Sequence, residues 1–175
     1  MGFFDLFFKK DKKVVHDEPK SSDFATAAER LFEKKKQSAL KGETISLSSG
    51  DVVTEMTDGA NLVNGSPTYA HAEESKHDLE IMKKCCEAEL RTMDLADQMP
   101  APYYFERVAI LSRKENNYQQ EIEYCEKYIV AVDSFFKKHD ENNYADVRKG
   151  PRYKSIVKRL PKAKILLLKS QQRNK

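Results

Sequence analysis

The sequence predicts a mainly α-helical protein: a small antiparallel helical bundle with flanking helices and a flexible N-terminal region. Three observations predict it. Apolar side chains recur at steps of three and four along successive stretches of the chain, the spacing of one face of an α-helix. Gly, Pro or paired Asn separate those stretches, at Gly42, Pro100, Pro102, Asn116-Asn117 and Gly150-Pro151. The alternating pattern of a strand is confined to one short region, too little to complete a sheet.

Residues 1–22 form a Phe/Lys-rich segment and linker. Residues 1–10 read MGFFDLFFKK; Asp5 interrupts the apolar stretch and no small-residue cleavage site follows, so this is no secretory signal. Leu6 stands where myristoylation of Gly2 wants Ser or Thr. Wound as a helix, Phe3, Phe4, Leu6, Phe7 and Phe8 share one broad arc, and Lys9, Lys10, Lys12 and Lys13 follow. Rings that insert and lysines that meet phosphates suit a membrane interface; the same pattern suits docking into a groove on this protein or another.

Residues 23–41 are expected to form an amphipathic helix capped by Asp23 and ended by Gly42, with Phe24, Ala27, Ala28, Leu31, Phe32 and Leu40 as its stripe. Residues 42–72 turn to Ser, Thr, Gly and Asn, with turn signals at Ser49-Gly50, Asp58-Gly59 and Asn64-Gly65. They read as a linker; the alternative is a small hairpin using Ile45 to Ser48 and Val52-Val53.

Residues 73–170 read as the helical domain and 171–175 as a polar tail. Leu79, Met82, Cys86, Leu90, Met93 and Ala96 define a helix from Glu73 to near Gln98. Pro102 opens a second helix reaching Glu115, with Phe105, Val108, Ala109 and Leu111 inward. A third spans 118–138, where Tyr118, Ile122, Cys125, Ile129, Val132 and Phe136 follow at steps of 4, 3, 4, 3 and 4. Glu121, Glu123 and Glu126, interleaved with Lys127 and Lys138, read as its solvated face. Asp140 to Gly150 is a loop. The last helix turns Tyr153, Ile156, Val157, Leu160 and Leu167 to one side, and Pro161 is expected to kink or split it.

Composition excludes whole classes. The chain has 175 residues and 20.2 kDa, one domain of ordinary size, with 34% charged residues and a mean hydropathy of −0.73. No run approaches the roughly 20 apolar residues that cross a bilayer. Three cysteines, an odd number, fit a reducing compartment and a cytoplasmic location rather than a disulfide scaffold. The net charge of +3 hides a polarity: residues 41–100 carry 5 basic and 12 acidic side chains, whereas 146–175 carry 11 basic and one acidic. Opposed charge of this kind attracts within a fold or recruits partners.

Catalytic chemistry finds no footing. Cys85, Cys86 and Cys125 lie on helices without paired C-x-x-C spacing, and Cys86 and Cys125 fall on apolar seams, as core thiols do. Glu74-x-x-His77 has the spacing of a di-iron half-site but no second copy. Phosphate-binding glycine loops, G-x-S-x-G and H-E-x-x-H are missing. The expectation is a protein that is not an enzyme and takes no cofactor or metal.

The stretch PYYFERVAILSRKENNYQQEIEYCEKYI, from Pro102, resembles a tetratricopeptide-repeat (TPR) hairpin: Phe105, Val108, Ala109 and Tyr118 match that family's repeat in type and spacing. It departs at Ser112, Glu121, Tyr128 and Asp133, and no second copy lies 34 residues away. The resemblance implies a helical hairpin flanked by the neighbouring helices, working as an adaptor or scaffold that binds another protein along a concave face. Tyr103, Tyr104, Arg107, Tyr124 and Tyr128 are then the contact residues, being types that anchor interfaces; the same tyrosines suit the edge of the core equally well. The alternatives are a nucleic-acid-associated protein using Arg148, Lys149, Arg152, Lys154, Lys158 and Arg159 against phosphates, and a peripheral membrane protein anchored by its Phe-rich N-terminus.

Overall fold

The computed structural model describes residues 21–42, 46, 48–140 and 143–173, with 21–24 in backbone only. Among them the chain is mainly α. Its elements run α1 (Ser21–Leu40), α2 (Ser49–Met56), β1 (Leu62–Val63), β2 (Ser66–Pro67), α3 (His71–Glu74), α4 (Leu79–Ala96), α5 (Pro102–Lys114), α6 (Tyr118–Lys138) and α7 (Pro151–Arg173).

The core lies among α4, α5, α6 and α7, and the α5–α6 hairpin organises it. Asn116 takes the left-handed conformation at φ 59°, while Asn117 N–H bonds the Ser112 carbonyl at 2.8 Å and Asn116 N–H that of Arg113 at 3.1 Å. That closes α5 in a Schellman turn. Asn117 then caps α6 by accepting from the Gln120 N–H at 3.1 Å. Two residues therefore end one helix and start the next, and α6 begins and ends where its periodicity predicts. Its buried surface is wider than the predicted seam: Tyr124, Tyr128, Ala131 and Phe135 are buried beside Ile122, Cys125 and Val132, because α5 and α7 both pack on it. The Tyr128 ring lies 4.9 Å from that of Phe105, and its hydroxyl donates to the Pro100 carbonyl at 3.2 Å.

Glu121 overturns the solvated-face reading of α6. It is completely buried, and its carboxylate receives Arg113 Nε from α5 at 2.8 Å and Arg159 Nη1 from α7 at 3.0 Å. An unpaired carboxylate there would be prohibitive, so the two guanidinium groups are conditions of its burial.

The linker reading of 42–72 is also corrected. Ser48 and Asp51 form a reciprocal capping box, Asp51 N–H to Ser48 Oγ at 3.2 Å and Ser48 N–H to Asp51 Oδ2 at 2.9 Å, which starts α2. Val52 and Val53 are buried on that helix rather than in a hairpin. A hairpin does exist further along, with Leu62 opposite Pro67 and Val63 opposite Ser66, turned by Asn64-Gly65 at positive φ. α1 packs on α2 and buries Ala27, but Phe32 and Leu40 of its predicted stripe stay 57% and 83% exposed. Asp23 lies inside α1 rather than capping it.

The expected helix from Glu73 is broken: α3 is one turn, and Asp78 restarts the chain by accepting the Ile81 N–H at 3.0 Å. Tyr103 OH donates to the Ala72 carbonyl, and Arg107 Nε to that of Lys76 at 2.9 Å, so α5 clamps this break. α7 runs unbroken through Pro161, which is exposed. A solvent-facing proline sacrifices one backbone bond without a steric conflict in the core.

Glu121→Ala should destabilise the fold by about 3 kcal/mol, since it strands two arginines that keep some contact with water. A lowered urea midpoint at unchanged slope is the expected reading. The triple variant R113M/E121L/R159M, which replaces the whole charged cluster by apolar side chains, should recover most of that loss.

Candidate docking surface

α7 has eight Lys and Arg residues and no acid. At 3.6 residues per turn its sequence lays down three rows. Tyr153, Ile156, Leu160 and Ala163 turn inward, with Ile156 and Ala163 fully buried and Tyr153 and Leu160 packed on the core. Val157, Pro161, Ile165 and Leu168 form an outward apolar row in which Val157 is 42%, Ile165 53% and Leu168 60% exposed. Lys154, Lys158, Lys162 and Lys169 run beside that row, all exposed and, among the described residues, without an ion-pair partner. Val157 therefore leaves the inward side where its spacing placed it.

The predicted basic set divides. Arg148 pairs with Asp146 at 2.8 Å and lies over the Phe136 ring; Arg152 pairs with Glu106 at 2.7 Å and lies over Tyr103; Arg159 holds Glu121. These three spend their charge inside the fold. Lys149, with its side chain 86% exposed and Asp146 3.9 Å away, joins Lys154 and Lys158 on the surface. Lys164 is bound to Glu126 of α6 at 2.7 Å.

The predicted aromatic contacts divide as well. Tyr104 and Tyr124 are 4% exposed and Tyr128 is fully buried, so these three are core residues and present no surface to a partner. Burial pushes the pKa of each hydroxyl well above its usual value, keeping all three neutral. Tyr103 and Arg107 are half-buried and committed to the α3–α4 break. Phe3, Phe4, Leu6, Phe7 and Phe8 lie outside the described residues.

The remaining reactive groups are structural. Burial, with Glu89 next, pushes the Cys85 thiol up to about 11; burial, with Glu121 next, pushes Cys125 up to about 12. Thiols held protonated are poor nucleophiles and poor ligands. Among the described residues no group of three His, Cys, Asp or Glu is placed to hold a metal ion. Glu89 is held by hydrogen bonds: its carboxylate accepts the Thr68 hydroxyl at 2.7 Å and the Ala101 N–H at 2.8 Å, at the start of α5. Sequence reasoning missed both Glu89 and Glu121, since a heptad-like apolar count treats every acid as outward.

No family model, curated protein or solved structure matches the chain. What the fold and its surfaces define is a mainly α-helical protein whose last helix carries an apolar row framed by lysines. Among the described residues no helix is long and apolar enough to cross a membrane.

Burial raises the Glu89 carboxyl above its ordinary value of 4.5, against its two hydrogen bonds. The unfolded chain therefore releases this proton first, and stability falls as pH climbs from the ordinary value through the folded one. Compared by urea unfolding across that window, Glu89→Gln should gain steadily on the wild type as pH rises and then level off. A constant difference between the two would remove the assignment.

Proposed function

We propose that this chain is a non-enzymatic docking module: a helical adaptor that presents the outward face of α7 to an anionic partner. One observation carries the reading. An apolar row with residues 42–60% exposed stands, on a helix without acids, beside four lysines that have no ion-pair partner among the described residues. Scattered apolar residues on a surface need no explanation, but aligned ones framed by a single charge mark a contact face. The α5–α6 hairpin supports the TPR-like part of the reading in its simplest form, as a rigid two-helix platform on which α7 is laid. The concave-face tyrosines do not support it, because three of them are spent on the core.

Nuclease-treated native lysate separated by size tests this directly. The wild type should run in a complex far above 20.2 kDa, and Ile165→Ser/Leu168→Ser should run as the free chain with unchanged helical content. A complex that disappears on nuclease treatment points to nucleic acid and overturns an apolar docking face. A wild type as free as the variant overturns the reading altogether.

A further inference from the structure

We infer that the partner of the α7 face is the surface of an anionic phospholipid bilayer, an inference that rests on the docking reading above. The face has the layout of a helix lying in the membrane interface. Its apolar row steps by 4, 4 and 3 from Val157 through Pro161 and Ile165 to Leu168, and its lysine row by 4, 4 and 7 from Lys154 to Lys169. Together they cover about 140° of the helix circumference, with the aliphatic side chains at one edge and the ammonium groups at the other. Short aliphatic chains enter the acyl boundary while flexible lysine stems carry their charge up to lipid phosphates.

Two alternatives fit less well. Protein interfaces are anchored by Trp, Tyr and Arg; on α7 the tyrosine packs on the core and Arg152 and Arg159 are paired with Glu106 and Glu121, so the two outward rows hold only Val, Pro, Ile, Leu and Lys. Phosphate tracking along nucleic acid has no use for an exposed aliphatic row, and the three arginines best suited to it are paired internally.

A second element of the same chemistry stands at the other end of the sequence. Four Phe among residues 3–8 are followed by Lys9, Lys10, Lys12 and Lys13. A segment so short holds a bilayer only marginally, and stable peripheral attachment takes two signals. The α7 face supplies the second.

Full-length protein sedimented with phosphatidylcholine vesicles, with and without phosphatidylglycerol, tests the inference. Binding should need phosphatidylglycerol and weaken steeply with salt. Lys158→Gln/Lys162→Gln should lower partitioning about 25-fold, from about fivefold per lysine at an anionic surface. Ile165→Ser/Leu168→Ser should lower it on the same vesicles, with both variants folded by circular dichroism. Deleting residues 2–13 should weaken binding yet leave a remainder that the α7 substitutions abolish. Wild-type partitioning by both α7 variants overturns the inference, because the N-terminal segment then acts alone. If vesicles fail to bind while the lysate complex persists and depends on Ile165 and Leu168, the partner is a protein: the inference falls and the docking module stands. If that complex is missing too, both fall.

Discussion

The Glu121 carboxylate meets Arg113 of α5 and Arg159 of α7 in a space that excludes water from its oxygens. Apolar packing alone tolerates small slips between helices, because one aliphatic side chain substitutes for another at little cost. A buried charge does not. Moving α7 by one turn along α6 would separate Arg159 from its acceptor and leave the carboxylate undercompensated. The contact thereby selects one register for three helices, and with it which residues of α7 turn outward. The lysine and aliphatic rows owe their direction to a charge on the opposite side of the helix.

That dependence explains how a helix with apolar residues around much of its circumference keeps some of them in water. Ile156 and Ala163 fill the space against the hairpin, and with Arg159 held on the same side Val157, Ile165 and Leu168 stay exposed. Three arginines are drawn into pairs with Asp146, Glu106 and Glu121, while Lys154, Lys158, Lys162 and Lys169 have no ion-pair partner among the described residues. Arginine's planar fork suits fixed, partly buried pairing, and lysine's compact charge stays hydrated.

Much of the helical half was legible in the sequence. The seam from Tyr118 to Phe136 placed α6 to the residue, and Pro102 and Asn116-Asn117 marked the hairpin, since both signals are local. What escaped notice was non-local or differently spelled. Period counting finds the stripe facing one neighbour; α6 has two, so Tyr124, Tyr128 and Phe135 were buried beyond it. Glu121 and Glu89 were hidden because their partners lie at least eight residues away in the chain. The Ser48-x-x-Asp51 capping box was readable, but the Ser and Gly around it masked a helix as a linker. Phe32 and Leu40 show the converse: helical spacing proved a face without proving that anything covers it.

Pro161 gives α7 a seam of a different kind. Without an amide hydrogen at that position, Pro161 cannot give the Val157 carbonyl the helical bond that another residue there would supply. Cooperativity between the two halves of the helix is weakened at that point. The half before it is anchored by Ile156 and by Arg152 and Arg159, and the half after it by Ala163 and the Lys164–Glu126 pair. With one backbone bond fewer joining it to the first half, the segment after Pro161 should open at lower cost than the segment before it. Amide hydrogens beyond Pro161 should therefore exchange faster than those of α6.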